Sequence, residues 1–380
     1  MSVFANKFHV VSSLSVLLVA CATGCESSDP EPAGNTVTDT NNTVAMCEAD
    51  KGMTILDNAS CQPAATDYKP RENNSKDDSW AACISDDNLY HPFNASVGSN
   101  ARVLAFEEIK TLLGFGGNKT PTADDFVQAK IAYSQAEGLQ SRLARREDTH
   151  YPAVVVDGKQ TACNKLSADQ VLANPDRCVA QAKIQPLIET AFTDGALGKE
   201  TVLNAARIEA GLLWFLYVSL NKEIETCGSE KKEDCDSVTA YYSGSQVREN
   251  PTGFGAYVKA RSPQAHDRVW DGLLAMRCWR DLDQALPATN IEMRQQVQAQ
   301  VDVAALRGLA LIVRDRLQNS QSCGVAWETV RVLGPVLNRS AVLIDATKAA
   351  AMAAEFAKTD AGSVDVKAAT DALDSIYACP

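Results

Sequence analysis

The sequence predicts an all-α protein, a multi-helix bundle with a disulfide-stapled, irregular N-terminal segment. Three observations carry this. Apolar residues recur with helical spacing from about residue 101 onward. Only Ala153-Val154-Val155-Val156 has the look of a strand. And 12 Cys are scattered over 380 residues with no Cys-x-x-Cys among them, which points to disulfides in an oxidising compartment and away from a zinc ribbon or thioredoxin-type motif.

The elements follow in order. Residues 47–100 are polar and irregular, with Cys47, Cys61 and Cys83 to pin them. Thr120-Pro121-Thr122-Ala123-Asp124-Asp125 opens a helix, with proline in the first turn and acids against the macrodipole, running to about Arg146. Ser167-x-x-Gln170 is a capping box for a short helix. Asn174-Pro175 starts another, carried to about Phe192. Thr201–Thr226 is strong. From Ile208 to Leu220 it is apolar on every side, which marks the central helix of the bundle. Ser262-Pro263 opens a helix reaching about Leu286, and Asn290–Gln318 is long and amphipathic. Two further helices cover roughly 325–357 with a break at Gly334-Pro335, and Ser363 caps a last one to about Tyr377. The helical domain is thus expected over 101–380.

The first residues have a different character. Lys7 is the one charge before Glu26, and the stretch Phe8–Ala22 is apolar. That is the layout of a secretory signal peptide over residues 1–20 and is too short for a membrane-spanning helix. Leu18-Val19-Ala20-Cys21 resembles the lipobox of bacterial lipoproteins, in which the cysteine receives diacylglycerol and becomes the mature N-terminus. Ala22-Thr23-Gly24-Cys25 is a looser version, so Cys21 is the expected lipidation site and Cys25 the alternative. The resemblance implies an exported protein held to a membrane of the bacterial envelope. Plain cleavage after Ala20-Cys21-Ala22 is the competing outcome. Residues 21–46 then form lipid anchor and tether. Glu26–Ala45 is rich in Ser, Asp, Pro, Thr and Asn and cannot bury enough surface to offset its ordering entropy.

Cysteine parity favours Cys25 as the lipid carrier, because ten cysteines then remain, while the motif favours Cys21. Cys227 and Cys235 flank a short polar loop, and Cys163 and Cys178 another. Closing loops of this size stabilises a fold by roughly 2–4 kcal/mol.

Composition narrows the function. With Lys plus Arg at 36, Asp plus Glu at 48 and net charge −12, nucleic acid is a poor partner. Beyond the signal segment only His91, His150 and His266 remain, so histidine chemistry has few sites. No Gly-x-Ser-x-Gly or His-Glu-x-x-His occurs. Gly114-Phe-Gly-Gly-Asn-Lys-Thr lacks the spacing of a phosphate loop. It and Gly253-Phe-Gly255 are read as turns.

Glu209 lies inside the buried run. A buried carboxylate is either a metal ligand or general acid, or a structural acid paired with Arg207 or with an arginine of a neighbouring helix. Glu223, fourteen residues on, shares its face. Glu147-x-x-His150 has di-iron spacing but occurs once where two copies are needed, so no di-iron centre is expected. His266, Asp267 and Asp271 open one helix. There the dipole lowers the imidazole pKa, as suits a neutral ligand or base, while Arg268–Asp271 and Arg277–Asp281 would be surface pairs.

Ile208-Glu209 followed by Leu212-Leu213-Trp214 resembles the His-x-x-Glu helix of the imelysin-type periplasmic proteins, which are all-helical, exported and linked to iron or haem. Ala206 stands where their histidine would be, and what the resemblance implies is the fold class. The leading expectation is a tethered binding domain for an unknown small ligand or envelope protein, with Glu209, His266, Asp267 and Asp271 as candidate ligand residues and no cofactor. A metal-dependent or carboxylate-based envelope enzyme and a purely structural envelope protein are the alternatives.

Overall fold

In the computed structural model the described residues are 47, 63–70, 80–94, 96–135, 138–244 and 247–378. The expected signal peptide and tether, with Cys21 and Cys25, lie outside them, as do Cys61 and Cys379. All described residues fall in one unit, Asn42–Pro380.

The chain is all-α. Its helices are α1 Gly98–Leu113, α2 Ala123–Ser134, α3 Leu139–Leu143, α4 Ala168–Ala173, α5 Gln185–Ala196, α6 Thr201–Ser229 and α7 Asp234–Ser243. They continue with α8 Gly253–Arg261, α9 Pro263–Leu282, α10 Ile291–Asn319, α11 Gly324–Ile344, α12 Ala346–Phe356 and α13 Val366–Ile376. The Val-rich stretch after Pro152 contributes only β1 Val155–Val156, which pairs antiparallel with β2 Lys159–Gln160.

Helix α6 is the centre, because its sequence leaves it no solvent face. Only Leu203, Arg207, Lys222, Glu225 and Ser229 escape full burial along its length. It packs against α5, α7 and α11 and also touches α1, α8 and α10. Each leucine or phenylalanine it hides contributes roughly 1.5–3 kcal/mol. Helices α9 and α10 form another packed pair, and a Cβ at Gly272 of α9 would meet Val301 of α10 at 2.7 Å. No helix among the described residues is long and apolar enough to cross a membrane.

Side-chain caps explain six of the thirteen α-helix starts among the described residues. Thr122 and Ser167 each form a capping box, with Asp125 and Gln170 as the reciprocal partners. Ser262 and Asn290 cap α9 and α10 through Ala265 N–H and Met293 N–H.

Several ends differ from expectation, each for a local reason. The helix opened at Thr122 stops at Ser134, not Arg146. Gln135 is extended and Gly138 donates to its carbonyl at 2.8 Å, a turn so tight that a Cβ on Gly138 would meet that oxygen. From Asn174 the chain passes through a π-helical turn, Ala180–Ile184, before α5, which ends at Ala196 and not Phe192. Helix α9 ends at Leu282, not Leu286, because the Asp283 carboxylate accepts from the N–H groups of Ala285, Thr289 and Asn290 and turns the chain. Helix α11 runs straight through Gly334-Pro335. It breaks at Asp345, which is extended and accepts from Thr347 and Lys348 N–H to start α12. The cap of α13 is Asp365, accepting from Ala368 N–H, while Ser363 sits in a 3-10 turn upstream. Helices α7 and α8 were not expected, and Gly253-Phe-Gly255 is the first turn of α8.

All eight described cysteines are paired. Cys163 joins Cys178 and Cys227 joins Cys235, both local. Cys47 joins Cys323 and Cys83 joins Cys278 across 276 and 195 residues, stapling the irregular segment onto α11 and α9.

Candidate functional site

Glu209 sits at the heart of the bundle with no exposed surface. Its Oε1 accepts from Arg316 Nη2 at 3.0 Å and Tyr257 Oη at 2.9 Å, and its Oε2 from Gly116 N–H at 3.1 Å. The last donor comes from the Gly114–Gly117 loop, where Gly114, Gly116 and Gly117 all have positive φ. The glycine-rich segment is therefore a cradle for a carboxylate of its own chain. Arg207 is not the partner: it turns outward to Glu328 and Glu200. Both oxygens of Glu209 are engaged by donors, which is the pattern of a structural acid.

Glu223 pairs with buried Arg146, whose guanidinium also lies 4.9 Å from the centre of the Tyr241 ring. Glu147 and His150 point to different partners. Glu147 accepts from Arg177 Nε at 2.9 Å and from Cys163 N–H at 2.7 Å. His150 lies between Asp148 (Nδ1 to Oδ1, 2.6 Å) and Asp302 (Nε2 to Oδ2, 3.1 Å) and stacks on Tyr217, whose hydroxyl also donates to Asp302. Burial disfavours its charge, but hydrogen bonds to the two carboxylates outweigh that and raise its pKa to about 9. His150 is thus a cation clamping the chain before β1 onto α6 and α10.

His266, Asp267 and Asp271 do come together, around Arg248 from the α7–α8 loop. His266 is buried. Its Nε2 donates to the Arg248 carbonyl at 2.8 Å, which leaves Nδ1 to accept from Tyr242 Oη at 3.0 Å. Burial lowers its pKa to about 4, so the ring is neutral. It is not an open ligand, because the one lone pair a metal could use is held by Tyr242. Asp271 pairs with Arg248, yet burial still raises its carboxyl to about 6. Asp267 is mostly exposed, with Arg248 at 3.5 Å. The expected Arg268–Asp271 pair is absent, since Arg268 is buried against Asp67, while Arg277–Asp281 stands at 3.9 Å. Among the described residues one group has metal-ligand spacing, Cys83, Asp86 and Cys278, and its two sulfurs are joined as a disulfide.

The feature that sequence reasoning missed is a cleft of about 240 Å³ between the C-terminal end of α3, the later turns of α6 and the start of α7. Arg142, Arg145, Arg146, Lys222 and Lys231 line it. Its acids are Glu223, taken by Arg146, with Glu230 and Asp234. Burial and the neighbouring Glu223 and Glu230 raise the Asp234 pKa. The signal lay in Arg142-x-x-Arg145-Arg146, but nothing local shows that Lys222 and Lys231 face it.

No family model, curated protein or solved structure matches this chain.

Proposed function

We propose that this protein is an exported bacterial lipoprotein, held to an envelope membrane through Cys21, with Cys25 as the alternative, whose helical domain binds a ligand. The observation that carries this reading is Leu18-Val19-Ala20-Cys21 at the end of a singly charged, apolar leader, followed by a polar stalk. The pairing of every described cysteine supports it, because stable disulfides belong to oxidising compartments. The geometry favours binding over carboxylate catalysis. Glu209 and His266 have their polar atoms satisfied from within, whereas the cleft between α3, α6 and α7 holds charges that are not.

The test is the intact mass and N-terminal peptide of the protein purified from membranes of a bacterial host. A diacylglyceryl-modified cysteine at position 21 or 25 is the expected result. An unlipidated species beginning after Ala22 would overturn the tether.

A further inference from the structure

The cleft is lined by five cations and by three carboxylates, Glu223, Glu230 and Asp234, and Lys231 acts electrostatically on Asp234. Arg146 is neutralised by Glu223, but no ion pair reaches Arg142, Arg145, Lys222 or Lys231 among the described residues. Among the described residues, the Arg145 guanidinium donates only to the Ser141 carbonyl. The Nε atoms of Arg142 and of buried Arg146 are both shielded from solvent without a partner. In other parts of the chain Arg314 pairs with Asp374, Lys367 with Asp371 and Lys358 with Glu355. Five cations against three carboxylates leave the lining with an excess of positive charge, which a bound anion would balance.

The cleft is also built. Helix α3 and the turn after it carry the three arginines, α6 carries Lys222, and the Cys227–Cys235 disulfide closes the loop that carries Lys231. Two guanidinium forks with unused N–H groups suit tetrahedral oxyanions, which accept several charge-assisted bonds at once. The volume admits a phosphate and a small substituent, not a polymer.

We propose that this cleft is a binding site for a phosphate monoester, with Arg142 and Arg145 as its principal ligands and Lys222 and Lys231 supplying field. The assignment names the ligand class of the binding domain proposed above and rests on that reading, but it does not depend on the lipid anchor. A phosphate monoester can come from a soluble metabolite or from a lipid headgroup of the phosphatidic acid type, and the chemistry recognised is the same.

The experiment is calorimetric titration of the full chain, purified as its host processes it, with two probes: glycerol 3-phosphate and short-chain, monomeric phosphatidic acid. The comparison proteins are Arg142→Gln/Arg145→Gln and Lys222→Gln/Lys231→Gln. Saturable binding by the wild type is expected, weakened by about tenfold or more in the arginine variant and falling with added salt. Equal binding of both probes assigns a soluble source, and binding of the acylated probe alone assigns a headgroup. Because none of the four side chains is in an ion pair, both variants should melt at or above the wild-type temperature, so lost binding cannot be ascribed to lost folding. Wild type that binds neither probe, or variants that bind as well as wild type, would overturn the site while leaving the lipoprotein reading to its own mass measurement.

Discussion

Glu209 shows how a residue that looks reactive in a sequence becomes structural in a fold. Its three donors come from α8, α10 and the loop after α1, so its charge ties α6 to all three. Glu209→Gln leaves Arg316 buried without its anion and is expected to cost about 3–5 kcal/mol in urea denaturation. Adding Arg316→Met should restore part of that loss, and a Glu209→Gln protein as stable as wild type would contradict the assignment. His150 and His266 act in opposite senses. His150 has a folded pKa of about 9, above the ordinary value of 6.5. Its contribution is complete below pH 6.5 and disappears as pH rises through 9. His266, at about 4, contributes above pH 6.5, and its contribution is lost as pH falls toward 4. The groups facing His266 are Tyr242, Arg248, Asp267 and Lys259, with Asp271 on the same arginine. His150→Gln is expected to flatten the alkaline limb of a plot of denaturation midpoint against pH and leave the acid limb in place. An unchanged alkaline limb would show that Asp148 and Asp302 do not hold the imidazolium.

At the scale of the element, some helix starts were readable and the ends were not: Pro121 lies before the Thr122 cap instead of in the first turn, and Asp365, not Ser363, caps α13. Ser167, Ser262 and Asn290 act within one turn of themselves, so their sequence context suffices. Gly334-Pro335 shows the opposite case. Read alone, the dipeptide ends a helix, since proline lacks the N–H and crowds the preceding turn. In the fold α11 continues. The space at Gly334 is used by the Phe356 ring, to which an added Cβ would approach within 2.5 Å. The glycine serves the contact between α11 and α12. Gly334→Ala should therefore destabilise by roughly 1–3 kcal/mol through overpacking, despite alanine's better helix propensity. A thermal melt of the variant tests this, and a rise in midpoint would mean that propensity outweighs the contact.

At the scale of the whole molecule, two long-range disulfides tie the irregular segment to the helices. In the chain-entropy account, closing loops of 276 and 195 residues restricts the unfolded chain by about 5 kcal/mol each, against about 3 kcal/mol for each local bridge. Cys47→Ser/Cys323→Ser should lower the denaturation midpoint more than Cys163→Ser/Cys178→Ser. The reverse order would place the stabilisation in local geometry. The same scale produces the cationic cleft. The chain is acidic overall, yet folding brings α3, α6 and α7 together so that one small volume carries unpaired arginine and lysine.

The sequence by itself determined what depends on neighbours a few residues apart. These are the helical class, the all-apolar run that makes α6 central, the helix starts at Ser167, Ser262 and Asn290, and the nearness of Cys163 to Cys178 and of Cys227 to Cys235. Periodicity, capping and loop length are short-range physics, and a linear reading contains them. Only the tertiary structure decided that Arg316 rather than Arg207 faces Glu209, that Tyr242 and the Arg248 carbonyl hold both nitrogens of His266, that Cys47 meets Cys323, and that Arg142 and Lys231 share a cleft. Those pairings depend on which helix faces pack together. That choice is made by burial of apolar surface, which is non-directional and leaves no mark at the polar residues it brings together.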